Sequence, residues 1–221
     1  MKLSSPTLKR IARRSDTLWN WFYVPAKLRS DPVYEAVTRE LAGSSLPVLD
    51  IGCGLGLLTH YLREAGHGAP MVGLDCDQRK IASARAMAQS AGYRDVVFEV
   101  GDARHDLPEH QGHVVIVDIL QFILPAEREL LLRDVAARLA PGGKVIIRSC
   151  LRDASWRFRI TVLGDWFARV TRWMKQAPVA YPSAAELKAT LGALGLSATT
   201  TPLWGATPFN NHLIVAQRAA A

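Results

Sequence analysis

From residue 46 onward, short runs of β-branched and aliphatic residues alternate with longer segments whose apolar positions recur at helical spacing. The runs at 46–51, 70–75, 95–100, 114–120 and 144–149 predict strands. Between them, 57–65, 78–91 and 125–139 predict helices, the last opened by Pro125 and closed by Pro-Gly-Gly. Such alternation predicts a parallel sheet with helices on both faces. The pattern changes after residue 180. Ser183-Ala-Ala-Glu186 has the form of a capping box and predicts a helix reaching about Leu194. Two strands then follow, 198–203 and 212–217, with no helix between them, so an antiparallel pair is expected. The expected fold is α/β: a Rossmann-like, seven-stranded, mostly parallel sheet ending in a C-terminal antiparallel hairpin.

The sharpest local motif is Asp50-Ile-Gly52-Cys53-Gly54-Leu-Gly56, between a strand and a helix. Glycines there let the backbone approach a ligand, and a helix N-terminus offers unpaired N–H donors. The dinucleotide fingerprint G-x-G-x-x-G fails in both registers, because its third glycine falls on Leu57 or Thr59. No phosphate-loop Gly-Lys-Ser/Thr is present. Two more acids end successive strands, Asp75 in Gly-Leu-Asp75-Cys76-Asp77 and Asp102 in Gly101-Asp102-Ala103. A third, Asp118, opens Asp118-Ile119-Leu-Gln121. Ligands of open α/β sheets bind at this edge, and a carboxylate suits a ribose diol because it accepts two hydroxyl hydrogen bonds.

With those four signals in order, the sequence over about residues 46–217 resembles the class I S-adenosylmethionine-dependent methyltransferases, as a small stand-alone member. The resemblance implies S-adenosylmethionine as cofactor, held by Asp50, Gly52, Cys53, Gly54, Asp75, Cys76, Asp102, Ala103, Asp118 and Ile119. Asp102 would meet the adenine amino group, and the segment from Asp118 to Gln121 would border the methyl-transfer centre. A single methyltransferase domain is expected, with a helical cap (1–45), a cofactor-binding half (46–150), a basic aromatic insert (151–180) and a C-terminal helix and hairpin (181–221). The tail around 202–215 is similar to small methyltransferases that accompany polyene-pigment and fatty-acid-like pathways.

Methyl transfer from a sulfonium asks the protein mainly to align and desolvate the reactants, so catalytic groups can be few. The candidates are Gln121, Tyr23 and Tyr181. The Asn/Asp-Pro-Pro-Tyr run of amino methyltransferases is missing. So are the acid pair of the Mg²⁺-dependent catechol-type enzymes and the second cysteine of RNA 5-methylcytosine enzymes. No metal is therefore expected, and Cys150 reads as a buried structural thiol. His60, His105, His110 and His113 are weak candidates for a base.

Composition narrows the class further. With 49% hydrophobic and 21% charged residues the 221-residue chain is an ordinary globular protein, and its three cysteines match no metal-ligand spacing. They suit a reducing, cytoplasmic setting. The richest apolar stretch, 113–126, is too short for a membrane span, and no long apolar run follows the basic N-terminus as a signal peptide would require. The charge of +7 is uneven. Residues 1–29 hold seven Lys/Arg against one Asp, and 151–175 hold six against two, which leaves the rest at −3. These two segments also hold five of the six tryptophans. One reading makes them solvated helices packed by their tryptophans. The other makes them a shared roof over the acceptor, in which Trp156, Ile160, Leu163, Phe167, Val170 and Met174 form an apolar stripe and Arg157, Arg159, Arg169 and Arg172 a basic rim. Such a roof would recruit an acidic acyl carrier protein or an anionic membrane surface, with peripheral attachment in the latter case; nucleic acid ranks last. The acceptor is expected to be small, and apolar, acyl or aromatic. An RNA or protein methyltransferase and a non-catalytic S-adenosylmethionine-binding scaffold stay open as alternatives, and a nicotinamide oxidoreductase is remote.

Overall fold

The computed structural model describes residues 2–15, 17–170 and 177–218; the side chains at 18 and 166–170 lie outside that description. Seven strands form one sheet: β1 (Val48–Ile51), β2 (Met71–Asp75), β3 (Val96–Val100), β4 (His113–Val117), β5 (Lys144–Cys150), β6 (Leu196–Pro202) and β7 (Asn211–Arg218). Their order is β3-β2-β1-β4-β5-β7-β6. The first five run parallel, and β7 pairs antiparallel with both β5 and β6. The expected sheet and hairpin are both present, and the strand order reverses between β1 and β4, where open α/β sheets place a crevice.

Side chains of the central strands alternate between two cores, as the two-residue period of a strand requires. Val48, Val115 and Ile146 face a core completed by α1 (Ser5–Ala12), α2 (Leu18–Ser30), α3 (Val33–Glu40) and α4 (Leu57–Glu64). Leu49, Ile51, Val114, Ile116, Val145 and Ile147 face the other, completed by α6 (Pro125–Ala137) and α8 (Ala184–Ala193). A smaller cluster joins α5 (Gln78–Ser90) to Phe98 of β3. The capping box is formed in full: Ser183 Oγ accepts from Glu186 N at 3.2 Å, and Glu186 Oε2 accepts from Ser183 N at 2.8 Å.

Three features go beyond what the sequence reading predicts. β4 stops at Val117, because Asp118 takes a φ of +58° and the chain then forms a 3₁₀ turn at Leu120–Phe122. Left-handed backbone is costly without glycine, so surrounding contacts must hold Asp118 there. The insert helix α7 (Trp156–Val170) runs unbroken through Gly164, whose missing side chain admits the Phe209 ring; a Cβ there would lie 3.2 Å from it. Within the described part of the α7 stripe no side chain is fully buried, and Ile160 is half-buried. Trp156 and Leu163 are exposed, while Thr161 is buried and Arg157 half-buried. The side chains of Phe167, Arg169 and Val170, and residues Arg172 and Met174 altogether, lie outside the described residues.

Candidate active site

The glycine turn after β1 divides its labour. Gly52, Gly54 and Gly56 all have positive φ, at +81°, +56° and +69°. A Cβ on Gly52 would strike Ile119 at 2.4 Å, and one on Gly56 would strike the Phe98 ring at 2.5 Å. At Gly54 the nearest protein atom lies at 3.9 Å, so protein packing does not account for its bareness, and the space beside it is open to a ligand. Asp75 sets the turn from the neighbouring strand: its Oδ2 accepts from Gly54 N at 2.9 Å and its Oδ1 from Asp77 N at 2.8 Å. Each carboxylate oxygen keeps a second acceptor site.

A cavity of about 500 Å³ opens at this sheet edge. Gly52, Asp75, Cys76, Asp102, Ala103 and Ile119 line it, so six of the sequence-predicted cofactor residues converge on one space. Phe122, Ile123, Ala177 and Val179 supply an apolar wall. Asp102 does not stand alone there. Arg104 donates to its two oxygens at 3.0 and 3.1 Å through Nε, and to Oδ2 at 2.5 Å through its terminal nitrogen. That clamp holds the Asp102 carboxyl below its ordinary pKa. Sequence reading missed Arg104, which carries no motif.

Asp50 lies beneath the turn rather than in the cavity wall. It is buried, and its Oδ2 has no hydrogen-bond partner. Burial, with the charge of Asp75 added, pushes its carboxyl up to about 7. Two acids share this edge, and neither has a Lys or Arg ion-pair partner among the described residues. The donor set therefore fits a ligand that carries a positive charge together with hydroxyl groups, as S-adenosylmethionine does. Cys53 is also buried; its backbone N–H donates to Leu74 O at 3.0 Å, and burial raises its thiol.

Asp118 turns its carboxylate to the guanidinium of Arg148 rather than into the cavity. Gln121 is buried: its Nε2 donates to Asp118 O at 2.9 Å, and its Oε1 has no partner. Its carbonyl accepts from Val179 N at 2.8 Å and Ala180 N at 3.2 Å, which fixes the cavity wall. Tyr181 donates to Asp165 Oδ2 of α7 at 2.5 Å and meets Phe158 edge-on. Tyr23 is half-buried against the N-terminal core. None of the three candidate catalytic side chains lines the cavity. Neither His60 nor His113 is better placed as a base. His60 is buried against Arg14, and burial with that charge pushes it down to about 3. His113 sits at the far end of β4, hydrogen-bonded to Ser44 Oγ at 2.7 Å and Lys144 N at 3.0 Å. Burial pushes the Cys150 thiol up to about 12, as suits a structural residue. Arg157, expected in a solvent-facing rim, is stacked between Trp156 and Trp204, with its guanidinium carbon 4.8 and 4.3 Å from the ring centres.

A mostly parallel sheet with a glycine turn at its switch point, and acids after β2 and β3 lining a cavity at that edge, is the architecture expected of a class I methyltransferase. The comparisons agree. The profile of a methyltransferase-domain family matches residues 42–191, and the chain belongs to that family. It is 34% identical over 165 residues to a ubiquinone biosynthesis O-methyltransferase of Azorhizobium caulinodans, covering 71% of this chain and 60% of that one. It is 32% identical over 120 residues to a trans-aconitate 2-methyltransferase of Mycobacterium tuberculosis, covering 54% and 43%. The chain thus spans about 60% or less of the length of these relatives. Among solved structures, the magnesium protoporphyrin IX methyltransferase of Synechocystis superposes with a TM-score of 0.68 at 19% identity, covering 97% and 94%. The pyocyanin biosynthetic protein PhzM superposes with a TM-score of 0.70 at 23% identity, covering 96% and 62%. These two likenesses establish the fold.

Proposed function

We propose that the protein uses S-adenosylmethionine to methylate a small, apolar or aromatic acceptor. The observation that carries this reading is the cavity at the β1–β4 switch point, lined by Asp75 and Asp102 and walled by Phe122, Ile123 and Val179. When bound, S-adenosylmethionine supplies an electrophilic methyl group. Asp75 accepts the ribose hydroxyls with the lone pairs that its two backbone N–H bonds leave free. Asp102, clamped by Arg104, meets the base, and the bare Gly54 admits the amino-acid end. The Asp75 carboxylate, joined by Asp50 as it ionises near pH 7, gives the edge a negative potential that favours a cationic ligand. The apolar wall excludes water from the reacting centre, and Gln121 holds that wall through its carbonyl. The name of the Azorhizobium relative, an O-methyltransferase of ubiquinone biosynthesis, supports oxygen as the acceptor atom and a ring as its carrier.

The test is release of S-adenosylhomocysteine when purified protein is incubated with S-adenosylmethionine and a panel of hydroxylated aromatic, acyl and polar acids. Turnover confined to apolar ring or acyl hydroxyl acceptors supports the proposal. Turnover confined to polar acids or to a protein substrate overturns the acceptor class.

A further inference from the structure

Two helices, α2 and α7, each leave part of their apolar side chains exposed. On the inward side of α7, Thr161 Oγ1 accepts from Asn210 N at 2.9 Å, Asp165 accepts from Tyr181 at 2.5 Å, and Arg157 stacks on Trp204. On its outward side Trp156 is 58% and Leu163 63% exposed, with exposed Arg159 between them. The spacing i, i+3, i+7 places these three on one face. On α2, Trp19 is 62%, Trp21 48% and Phe22 78% exposed. Single exposed hydrophobes are ordinary; two helices that both turn aromatic side chains to solvent mark an interaction surface.

The β6–β7 loop joins these helices at the C-terminal end of β5. Trp204 stacks on Arg157 of α7, and Gly205 packs on Pro32, between α2 and α3, where a Cβ would lie 3.1 Å from the proline ring. The N-terminal helices that include α2 are also basic. Residues 1–29 carry seven Lys/Arg against one Asp. Glu64 is shared by Arg10 and Arg14, and exposed Lys9 and Arg13 have no acidic partner among the described residues. Trp and Phe flanked by Lys and Arg are the composition of helices that lie in a lipid headgroup layer. The side chains stand out from the surface rather than lining a groove, which suits a fluid bilayer better than the helix of an acidic carrier protein.

We propose that this end of the molecule docks on an anionic lipid surface, with Trp19, Phe22, Trp156 and Leu163 entering the headgroup layer and Lys9, Arg13 and Arg159 facing the lipid phosphates.

The experiment is co-sedimentation of the full chain with vesicles of phosphatidylcholine alone or mixed with phosphatidylglycerol. The protein should bind the mixed vesicles, bind phosphatidylcholine alone far more weakly, and be released at about 1 M salt, where the screening length falls to roughly 3 Å. Phe22→Ser with Trp156→Ser should weaken binding on the order of tenfold or more, since each side chain loses its apolar transfer. Lys9→Gln with Arg13→Gln should weaken it without touching any packed residue. Thermal melts of each variant confirm that the fold is kept. No binding to mixed vesicles, binding unchanged in both double variants, or retention by an acidic acyl carrier protein with none by vesicles would overturn the proposal. Because the assay needs neither acceptor nor turnover, its failure is distinct from a failure of the methyl-transfer reading.

Discussion

Arg148 and Asp31 stand 117 positions apart in the chain, yet the guanidinium donates to the Asp31 carboxylate at 3.0 Å in a buried contact. The same terminal nitrogen binds Asp118, and Lys27 Nζ reaches Asp31 at 2.7 Å. One cation on β5 thus ties the N-terminal cap to the left-handed residue that ends β4.

Replacing Arg148 with Met should therefore destabilise the fold by about 3–5 kcal/mol, the cost of leaving buried carboxylates uncompensated. Burial alone would raise the Asp31 carboxyl, but Arg148 and Lys27 hold it below its ordinary value. That contribution is present above the unfolded pKa and is lost as pH falls through the folded one. Urea titrations of the native protein and of Asp31→Asn should converge at low pH; parallel curves would remove Asp31 from the acid response.

The glycines of the turn should separate in two assays. Gly54→Ala meets only left-handed strain, about 1–2 kcal/mol, but should abolish S-adenosylmethionine binding. Gly56→Ala adds a clash with Phe98 and should lower the melting temperature much further. Calorimetry with S-adenosylmethionine, paired with thermal melts, checks both; full affinity in Gly54→Ala would show that the open space is not used.

Asp75→Ala should lose roughly 1–3 kcal/mol of S-adenosylmethionine affinity, about fivefold to 150-fold. Asp75→Asn should lose less, because its remaining carbonyl oxygen can still accept from Gly54 N. Equal losses in the two variants would mean that charge, and not the shape of the turn, is what Asp75 supplies.

Asp50 predicts a pH effect of opposite sign on ligand binding and on stability. Its folded pKa is raised to about 7, so the folded state keeps a proton that the unfolded chain releases. Its share of stability is complete below the unfolded pKa and falls at up to about 1.4 kcal/mol per pH unit as pH rises toward the folded one. Affinity for a cationic ligand should rise as pH passes through about 7, where Asp50 of the folded protein ionises. In Asp50→Asn both slopes should flatten; unaltered slopes would assign them to another group.

Activity should survive EDTA, since no group of three metal-ligating side chains converges among the described residues. Complete loss on chelation, restored by Mg²⁺, would reveal a missed ligand set.

Much of the molecule was legible in the order of its residues. The seven strands and the helices between them follow from periodicity, since side-chain alternation reports which face of a strand is buried. Positions 52 and 54 were readable because positive φ demands glycine, and positions 50, 75 and 102 because acids follow successive strands at one edge of the sheet. No local pattern announces Arg148, Arg104 or Asp165. Their roles come from partners brought close by the crossing of β4 and β5, the Asp102 loop and the packing of α7. The apolar stripe of α7 was visible at its spacing, but periodicity states only that a helix has two faces. Which one turns inward was decided by Asn210, Tyr181 and Trp204, which offer hydrogen bonds and a ring to Thr161, Asp165 and Arg157. Those contacts satisfy buried polar groups that the sequence alone would have assigned to water, and they leave Trp156 and Leu163 outside.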